Sequence, residues 1–170
     1  MSFIKTNEVT EYVKIEMESG SSLVLKLDAE SAPITVRNFQ KLVGDGFYDG
    51  LIFHRVIAGF MVQGGDPTGT GMSGSKQTIK GEFLMNGVRN RISHKRGVIS
   101  MARTNDPNSA SSQFFICHAD ATFLDGQYAA FGAVVEGIST VDEIAAAPTN
   151  AMDKPLVDQR MKAVYFVKEA

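Results

Sequence analysis

The chain has 170 residues, of which 44% are hydrophobic and 21% charged, and its net charge is −2. This length and composition predict one soluble domain, residues 1–170, with a sizeable core. The near-neutral charge gives no electrostatic reason to expect nucleic acid or an anionic membrane as a partner. The single cysteine, Cys117, excludes an internal disulfide. The chain starts without an apolar signal core and has no apolar run long enough to span a bilayer, so we expect a cytoplasmic protein.

A β-hairpin is predicted near the start of the chain. Residues 12–19 alternate apolar and polar side chains, which is the pattern of a half-buried strand. Residues 22–27 form a second apolar segment, and the intervening Ser19-Gly20-Ser21 is typical of a turn. We therefore expect the two segments to pair as antiparallel strands.

A helix is predicted directly after this hairpin. Asp28 or Ser31 can cap it, and Pro33 falls in its first turn, where proline is tolerated. Gly44 is placed to end it. Its apolar face is expected at Val36, Phe39, Leu42 and Val43.

The stretch LIFHRVIAGFMVQGGD, residues 51–66, predicts two short strands that bury an apolar face. Arg55 and Gln63 interrupt that apolar pattern. Both residue types ordinarily point to solvent, so the stretch by itself leaves their role open.

Four more strands and a second helix are predicted in the rest of the chain. The strands are expected at 97–102, 112–117, 129–135 and 160–167, and the helix at 139–147. Many short strands separated by turns, with only two helices, predict an all-β barrel or sandwich with helices at its ends.

A glycine-rich stretch invites a nucleotide-binding interpretation. Residues 69–74 satisfy the dinucleotide pattern G-x-G-x-x-G, but that pattern needs a helix directly after it to meet the pyrophosphate. The residues after Gly74 show no helical apolar face, and Ser75-Lys76 reverses the order of a P-loop. We interpret the stretch as a mobile surface loop; a nucleotide-dependent enzyme would require a helix after Gly74.

Metal binding and cysteine chemistry are weakly supported. His54, His94 and His118 are far apart in the sequence, and Cys117 has no C-x-x-C partner. His54 stands between apolar residues, so a hydrogen-bonded core histidine is the preferred interpretation. Cys117 and His118 are neighbours on a predicted strand and point to opposite faces, so Cys117 is interpreted as a small buried residue.

Strand alternation places several polar residues together. Met61 and Gln63 share one face of their strand, and Gln113 and Phe115 share one face of theirs. Phe60 joins the face of Met61 only if the strand begins irregularly. If these strands neighbour that of Arg55, one surface carries a guanidinium, two amides and an apolar patch. Such a surface could bind a peptide, or catalyse a reaction that needs only shape and one hydrogen-bond donor.

At this point the sequence resembles the cyclophilin-type peptidyl-prolyl cis-trans isomerases, in a form like that of bacterial members. The resemblance covers residues 11–168 and includes the specific pattern FHR-x-I-x-x-FM-x-QGGD. It implies a mainly β fold, a closed eight-stranded antiparallel barrel capped by two α-helices. The matching segments are FHRVIAGFMVQGGD (53–66), GVISMAR (97–103), SSQFFI (111–116), LDGQYAAFG (124–132) and VVEG (134–137).

The resemblance also implies a set of site residues. Arg55 would be the catalytic residue and Gln63 its catalytic neighbour. Arg103 would contribute by its backbone. The remaining substrate-binding positions are Phe60, Met61, Ala102, Gln113, Phe115, Phe123, Leu124 and Tyr128.

Two positions depart from the family pattern. Phe123 stands where cyclosporin-sensitive members carry Trp, and Tyr128 stands where many carry His. Cyclosporin is therefore expected to bind weakly. The chain is also one residue longer than the best-known members between Met101 and Gln113, so Ala102 and Arg103 match more securely than the residues that follow.

The resemblance leads to the hypothesis of a monomeric prolyl isomerase, a rotamase, that acts on proline-containing peptides and protein segments. The chemistry needs no cofactor. A non-catalytic proline-peptide binding module or chaperone on the same fold is the alternative. Arg55 discriminates between them, because a pure binder needs no donor for a twisted prolyl nitrogen.

Overall fold

Nine antiparallel strands and two α-helices make up the computed structural model, which describes residues 2–170. No helix in this part of the chain is both long and apolar enough to cross a membrane. The strands are β1 (Phe3–Lys5), β2 (Tyr12–Met17), β3 (Ser22–Leu27), β4 (Arg55–Ile57), β5 (Met61–Gly64), β6 (Val98–Met101), β7 (Phe114–Cys117), β8 (Ala130–Glu136) and β9 (Met161–Glu169). The helices are α1 (Pro33–Gly44) and α2 (Ile138–Ala145), with short 3₁₀ turns at Leu84–Asn86 and Thr122–Leu124.

The strands follow the order β1-β9-β2-β3-β8-β6-β7-β5-β4 across the sheet. Between β4 and β9 there is no continuous ladder, but Ile52 and Arg160 form an isolated bridge. Next to that bridge, the Phe53 N–H donates to the Gln159 carbonyl and the Met161 N–H to the Leu51 carbonyl, both at 2.9 Å. These bonds bring the two ends of the eight-stranded part together and give the sheet its barrel form.

The predicted mainly β architecture with two helices is therefore confirmed, with two differences. The sheet has nine strands rather than eight, and its closing edge is a short bridge rather than a full ladder. The additional strand, β1, pairs with the end of β9. It has only three residues, two of them exposed, and so carries too little alternation to be detected in the sequence.

Pro33 lies in the first turn of helix α1, as predicted, but the cap of the helix differs from the prediction. Neither Asp28 nor Ser31 caps it; the Asp28 carboxylate instead accepts the Ser31 N–H, at 3.0 Å, in the preceding turn. The buried carboxylate of Glu82 accepts the Thr35 N–H at 2.6 Å and the Thr35 hydroxyl at 2.7 Å. A residue 47 positions away in the chain thus satisfies a first-turn donor that a local cap would ordinarily satisfy.

The main hydrophobic core lies between the sheet and the helices. The predicted apolar face of α1 contributes to it through Val36, Phe39, Leu42 and Val43. A second, smaller cluster forms on the other face of β5 and β7, because successive strand residues point to opposite faces. The buried members of this outer cluster are Met61, Phe115, Cys117 and Ala121.

Cys117 lies within this outer cluster and is fully buried. Burial, followed by the nearby carboxylates of Asp125 and Asp120, raises the pKa of the Cys117 thiol to about 12. A thiol that stays protonated at neutral pH is a poor nucleophile. The interpretation of Cys117 as a small buried residue is confirmed.

Gly64 provides a test of how closely the chain packs where the barrel closes. A Cβ at Gly64 would lie 2.6 Å from the Ile52 carbonyl oxygen, next to the bridge between Ile52 and Arg160. Since backbone cannot give way as a flexible side chain does, Gly64→Ala is expected to lower the free energy of unfolding by about 1–3 kcal/mol. Urea denaturation measures the change.

Gly44→Ala is the matched control for this substitution. The nearest atom to a Cβ at Gly44 is Phe166 Cε2 at 3.8 Å, an ordinary contact. Alanine is also the better helix former, so this variant should be as stable as the parent or slightly more stable. Equal unfolding free energies for the two variants would show that the closing edge accommodates a methyl group.

Candidate active site

A pocket of about 140 Å³ opens on the outer face of β4, β5 and β7. Its lining contains nine of the eleven predicted site residues, all except Gln113 and Phe123. The outer cluster around Met61 and Phe115 forms its apolar floor. The lining residues are Arg55, Phe60, Met61, Gln63, Ala102, Arg103, Phe115, Leu124 and Tyr128.

Strand register brings the polar and apolar parts of this pocket together. Arg55 of β4 pairs with Gln63 of β5, and Gln63 pairs with Phe115 of β7. The three side chains are cross-strand neighbours and therefore share a face of the sheet. The condition on which a common surface depended, that these strands lie side by side, is therefore met.

Phe60 reaches the pocket because β5 begins irregularly. The Phe60 N–H donates to the Ile57 carbonyl at 3.0 Å and closes a tight turn. Gly59 in this turn has φ of +80°, a backbone conformation that favours glycine. As a result, Phe60 and its neighbour Met61 both line the pocket, which strict alternation would forbid.

A chain of amide hydrogen bonds orients the Arg55 guanidinium. Gln113 Nε2 donates to the carbonyls of Gly71 and Ser73, at 3.0 and 2.7 Å. Its Oε1 then faces Gln63 Nε2, which donates to it at 3.0 Å. Gln63 Oε1 in turn accepts from Arg55 Nη1 at 3.3 Å. Because two backbone carbonyls fix the first amide, the orientation of both amides is determined.

The glycine-rich loop supplies those two carbonyls. The buried Asp66 carboxylate accepts N–H groups from Thr68, Gly71 and Ser73, at 2.8, 2.6 and 3.2 Å. Burial alone would raise the pKa of Asp66, but these hydrogen bonds outweigh burial and lower it. Residues 75–83, directly after Gly74, contain no helix, so the loop lacks the helix N-terminus that dinucleotide binding requires.

The loop also borders a second cavity of about 280 Å³. It shares Gln63, Ala102 and Arg103 with the first pocket, so the two cavities are adjacent. Gln113 lies in its wall. The Ala102 N–H donates to the Gln113 carbonyl at 3.0 Å, which ties the two walls of this cavity together.

A Ser-His-Asp arrangement, with the histidine and serine buried, supports the floor of the pocket. The His94 ring stacks on Phe115, with 6.0 Å between ring centroids and 18° between planes. Nδ1 of His94 lies 2.9 Å from Asp125 Oδ1, and Nε2 lies 2.9 Å from Ser100 Oγ. Burial lowers the pKa of His94, although the Asp125 carboxylate partly opposes this effect. His94 and Ser100 are fully buried, so the arrangement fixes Phe115 and offers no nucleophile.

Arg103 contributes a side chain, which the family resemblance did not imply. Its guanidinium carbon lies 4.7 Å from the Tyr128 ring centroid and 4.9 Å from that of Phe83. Its Nη2 donates to the Gln127 carbonyl at 2.7 Å. Tyr128 also meets Phe115 edge to face, at 5.9 Å. Arg103 thus holds the Tyr128 wall of the pocket by cation–π contact.

Phe123 lies beside the pocket rather than in it. Its ring is 66% exposed and packs on Phe60, with 5.6 Å between centroids. The following residue of the 3₁₀ turn, Leu124, lines the pocket. Phe123 therefore extends the apolar wall of Phe60 outward along the surface.

His54 is buried, as expected, but the prediction that it is hydrogen-bonded is wrong. Its Nδ1 has no hydrogen-bond partner in the described chain. Burial lowers the pKa of His54, and the positive charges of Arg55 and Lys154 add to this effect against the opposing charge of Asp66. Among residues 2–170, no three histidine, cysteine or acidic side chains come together in a group that could hold a metal ion.

Comparison with known proteins identifies the family. Residues 12–166 match the model of the cyclophilin-type peptidyl-prolyl cis-trans isomerases. The chain therefore belongs to this family of isomerases.

Individual relatives agree with this assignment. Peptidyl-prolyl cis-trans isomerase A of Dickeya dadantii is 44% identical over 86% of this chain and 81% of its own. Peptidyl-prolyl cis-trans isomerase-like 1 of Gibberella zeae is 40% identical over 95% of this chain and 98% of its own.

A solved structure shows the same fold. The crystal structure of a Cryptosporidium parvum cyclophilin-type isomerase, determined in the presence of the dipeptide Ala-Pro, is 31% identical with a TM-score of 0.85. The match covers 93% of this chain and 99% of the other.

The lowered pKa values of the two buried histidines predict acid-sensitive stability. An unfolded histidine binds a proton near pH 6.5, whereas His54 and His94 resist protonation in the native state. The unfolded chain thus binds more protons below this pH, and the free energy of unfolding should fall by up to about 1.4 kcal/mol per pH unit for each histidine. Urea denaturation between about pH 7.5 and 5 measures the slope.

His94→Gln separates the contribution of His94 to this pH dependence from that of His54 and other titrating groups. Glutamine retains a polar group facing Ser100 but does not titrate in this range. The variant should be less stable overall and should show a shallower dependence on pH. An unchanged slope would mean that His94 does not contribute to the acid sensitivity.

Proposed function

We propose that the chain accelerates cis/trans exchange of X-Pro peptide bonds, with Arg55 as the catalytic donor and Gln63 as its orienting partner. The observation that carries this proposal is the guanidinium at the edge of an apolar pocket, with the amide of Gln63 holding one of its nitrogens. Within the described residues, Nη1 is the only guanidinium nitrogen of Arg55 that has a hydrogen-bond partner. Its other donors are available to a substrate.

The reaction itself explains why one donor and a shaped pocket are sufficient. Rotation about a peptide C–N bond faces a barrier of about 18–20 kcal/mol, because twisting removes its resonance. For X-Pro the two planar isomers are close in energy, yet they exchange only in tens to hundreds of seconds. A catalyst therefore needs to stabilise the twisted state, and no bond to substrate has to form or break.

Arg55 can stabilise the twisted state selectively. A planar prolyl nitrogen shares its lone pair with the carbonyl, whereas a twisted one regains a localised pair that accepts a hydrogen bond. A donor directed at that nitrogen binds the transition state better than either ground state, which is the condition for a faster reaction. The permanently charged, planar guanidinium provides such a donor without a cofactor.

The apolar walls have a different role. They hold the proline ring while the acyl side turns, which lowers the entropic part of the barrier. The proposed substrate-binding residues are Phe60, Met61, Ala102, Arg103, Gln113, Phe115, Phe123, Leu124 and Tyr128. The Ala-Pro dipeptide named with the Cryptosporidium structure supports proline-containing peptides as ligands of this fold.

The same proposal extends to the organisation of the chain. Residues 1–170 form one domain, which is supported by a family match over residues 12–166 and by a single continuous sheet. We place this domain in the cytoplasm as a monomer; its one cysteine is buried and unpaired, so the fold does not depend on an oxidising compartment. Its partners are proline-containing segments of folding or flexible proteins.

Arg55→Ala tests the catalytic role. Loss of the donor should lower kcat/KM for an X-Pro peptide by about tenfold to a thousandfold, equivalent to about 1.4–4 kcal/mol of transition-state stabilisation. Peptide affinity and melting temperature should change little, since the side chain is exposed. Exchange NMR measures the rate, and a peptide titration measures the affinity.

The same measurement separates an enzyme from a binding module. Near-parental exchange rates in Arg55→Ala would overturn the proposed mechanism and favour non-catalytic binding of proline peptides. Arg55→Lys is a useful companion, because a lysine keeps the charge but loses the planar fork that Gln63 orients. Arg55→Lys should therefore exchange X-Pro bonds faster than Arg55→Ala but more slowly than the parent.

Phe123→Trp tests the weak binding of cyclosporin. Phenylalanine lacks the indole N–H, a loss of about 0.5–1.5 kcal/mol, and about 40 Å² less apolar burial loses about 1 kcal/mol more. The parent should therefore bind the drug about 10- to 100-fold more weakly than the variant. Peptide turnover should change modestly, because Phe123 lies beside the pocket and does not line it.

Titration of both proteins with cyclosporin, while isomerisation is followed, measures the difference. Equal inhibition constants would show that the exposed ring of Phe123 does not contact the drug. The assignment of Phe123 to the substrate-binding surface would then be wrong.

A further inference from the structure

His118 makes two hydrogen bonds to the turn that carries Phe60. The His118 N–H donates to the Phe60 carbonyl at 2.9 Å, which extends the pairing of β5 and β7 by one step. Nδ1 of the same residue accepts the Gly59 N–H, also at 2.9 Å. Backbone and ring together therefore hold the peptide units on both sides of the Gly59–Phe60 peptide, at the start of β5.

This second hydrogen bond determines the state of the His118 ring. The Gly59 N–H can only donate, so Nδ1 must present its lone pair and the proton resides on Nε2. Nε2 lies 3.0 Å from Asp142 Oδ1, to which it then donates. The imidazole thus connects α2 to the Gly59 turn with one defined orientation.

Asp142 is itself held in place from a third element. Arg96, which precedes β6, donates to both Asp142 carboxylate oxygens, at 2.7 and 2.8 Å. It also donates to the His118 carbonyl at 2.9 Å. Hydrogen bonding by Arg96, together with His118, lowers the pKa of Asp142 despite partial burial. The acceptor of the His118 proton therefore remains ionised at neutral pH.

We propose that His118 is a positioning residue for the isomerase, which sets the place of the Phe60 wall through the Gly59 N–H. The inference rests on the proposed function, since it assumes that the Phe60 wall binds the proline ring. His118 lines neither cavity of the site and does not contact the substrate pocket. It acts through the turn that bears Phe60, whose ring packs against that of Phe123.

The proposal predicts which kinetic constant changes. The ring of a bound proline keeps its place while the acyl side turns, so the Phe60 wall contacts it equally in ground and transition states. A displaced wall thus removes uniform binding, which weakens peptide affinity and leaves kcat nearly unchanged. This is the opposite of the pattern expected for Arg55→Ala.

Two polar substitutions of similar size separate the contacts of His118. The Oδ1 of asparagine takes approximately the place of Nδ1, so His118→Asn retains an acceptor for Gly59. The longer amide of glutamine reaches toward the place of Nε2, so His118→Gln keeps a partner for Asp142 and loses the acceptor for Gly59. A purely structural role would make the two variants similar.

The experiment compares peptide affinity, exchange rate at saturation and the hydrogen-exchange rate of the Gly59 amide in these variants. His118→Gln should weaken affinity for an X-Pro tetrapeptide by about threefold to tenfold, the range for one lost hydrogen bond, and should speed Gly59 amide exchange. His118→Asn should stay within about twofold of the parent in both measurements. Lys95→Ala is the control, because the exposed Lys95 side chain pairs with Asp120 rather than with the turn.

A double-mutant cycle with Phe60→Leu tests the route of the effect. If His118 acts through Phe60, His118→Gln should weaken affinity much less in the Phe60→Leu background. Additive effects, or equal affinities of His118→Asn and His118→Gln, would overturn the positioning role while the proposed function stands. Unchanged affinity in Phe60→Leu alone would instead refute the proposed pocket.

Discussion

Antiparallel pairing of β4, β5 and β7 underlies the whole site, because β5 and β7 contribute side chains both to the main core and to the outer cluster. Val62 and Ile116 point into the main core, while their neighbours Met61 and Phe115 point into the outer cluster. A slip of one residue would exchange the two sets of side chains. The apolar burial that stabilises the barrel therefore also fixes which residues line the pocket, and fold and site share one register.

Hydrogen bonds then orient the polar side chains that this register brings together. An exposed arginine has many rotamers, and a flexible donor loses entropy when it binds. Here the carbonyls of the Asp66 loop orient Gln113, which orients Gln63, which orients Arg55. The entropic cost of orienting the guanidinium is thus incurred when the chain folds, before substrate binds. Electrostatic stabilisation of a transition state requires donors that are oriented in advance in this way.

Several long-range contacts support this arrangement from outside the pocket. Glu82 satisfies the first turn of α1, and His94 stacks beneath Phe115 with its ring held by Asp125 and Ser100. Each places a polar group in a buried position where an unpaired atom would be costly. These contacts connect elements that lie far apart in the chain, and the stacking of His94 on Phe115 supports the floor of the pocket.

The sequence by itself determined eight of the nine strands, both helices and the identity of the family, because alternation, helical spacing and the pattern around Arg55 and Gln63 are local. Strand alternation also placed Met61 with Gln63, and Gln113 with Phe115, on one face of their respective strands. That these faces join the face of Arg55 depended on the pairing of β4, β5 and β7, which only the structure shows. Only the tertiary structure decided that Glu82 accepts hydrogen bonds in the first turn of α1 and that Nδ1 of His54 has no partner among residues 2–170. It also decided the cation–π contact of Arg103 and the hydrogen bond from the Gly59 N–H to His118. Each of these depends on distances between residues separated by many positions, and local patterns carry no record of such distances.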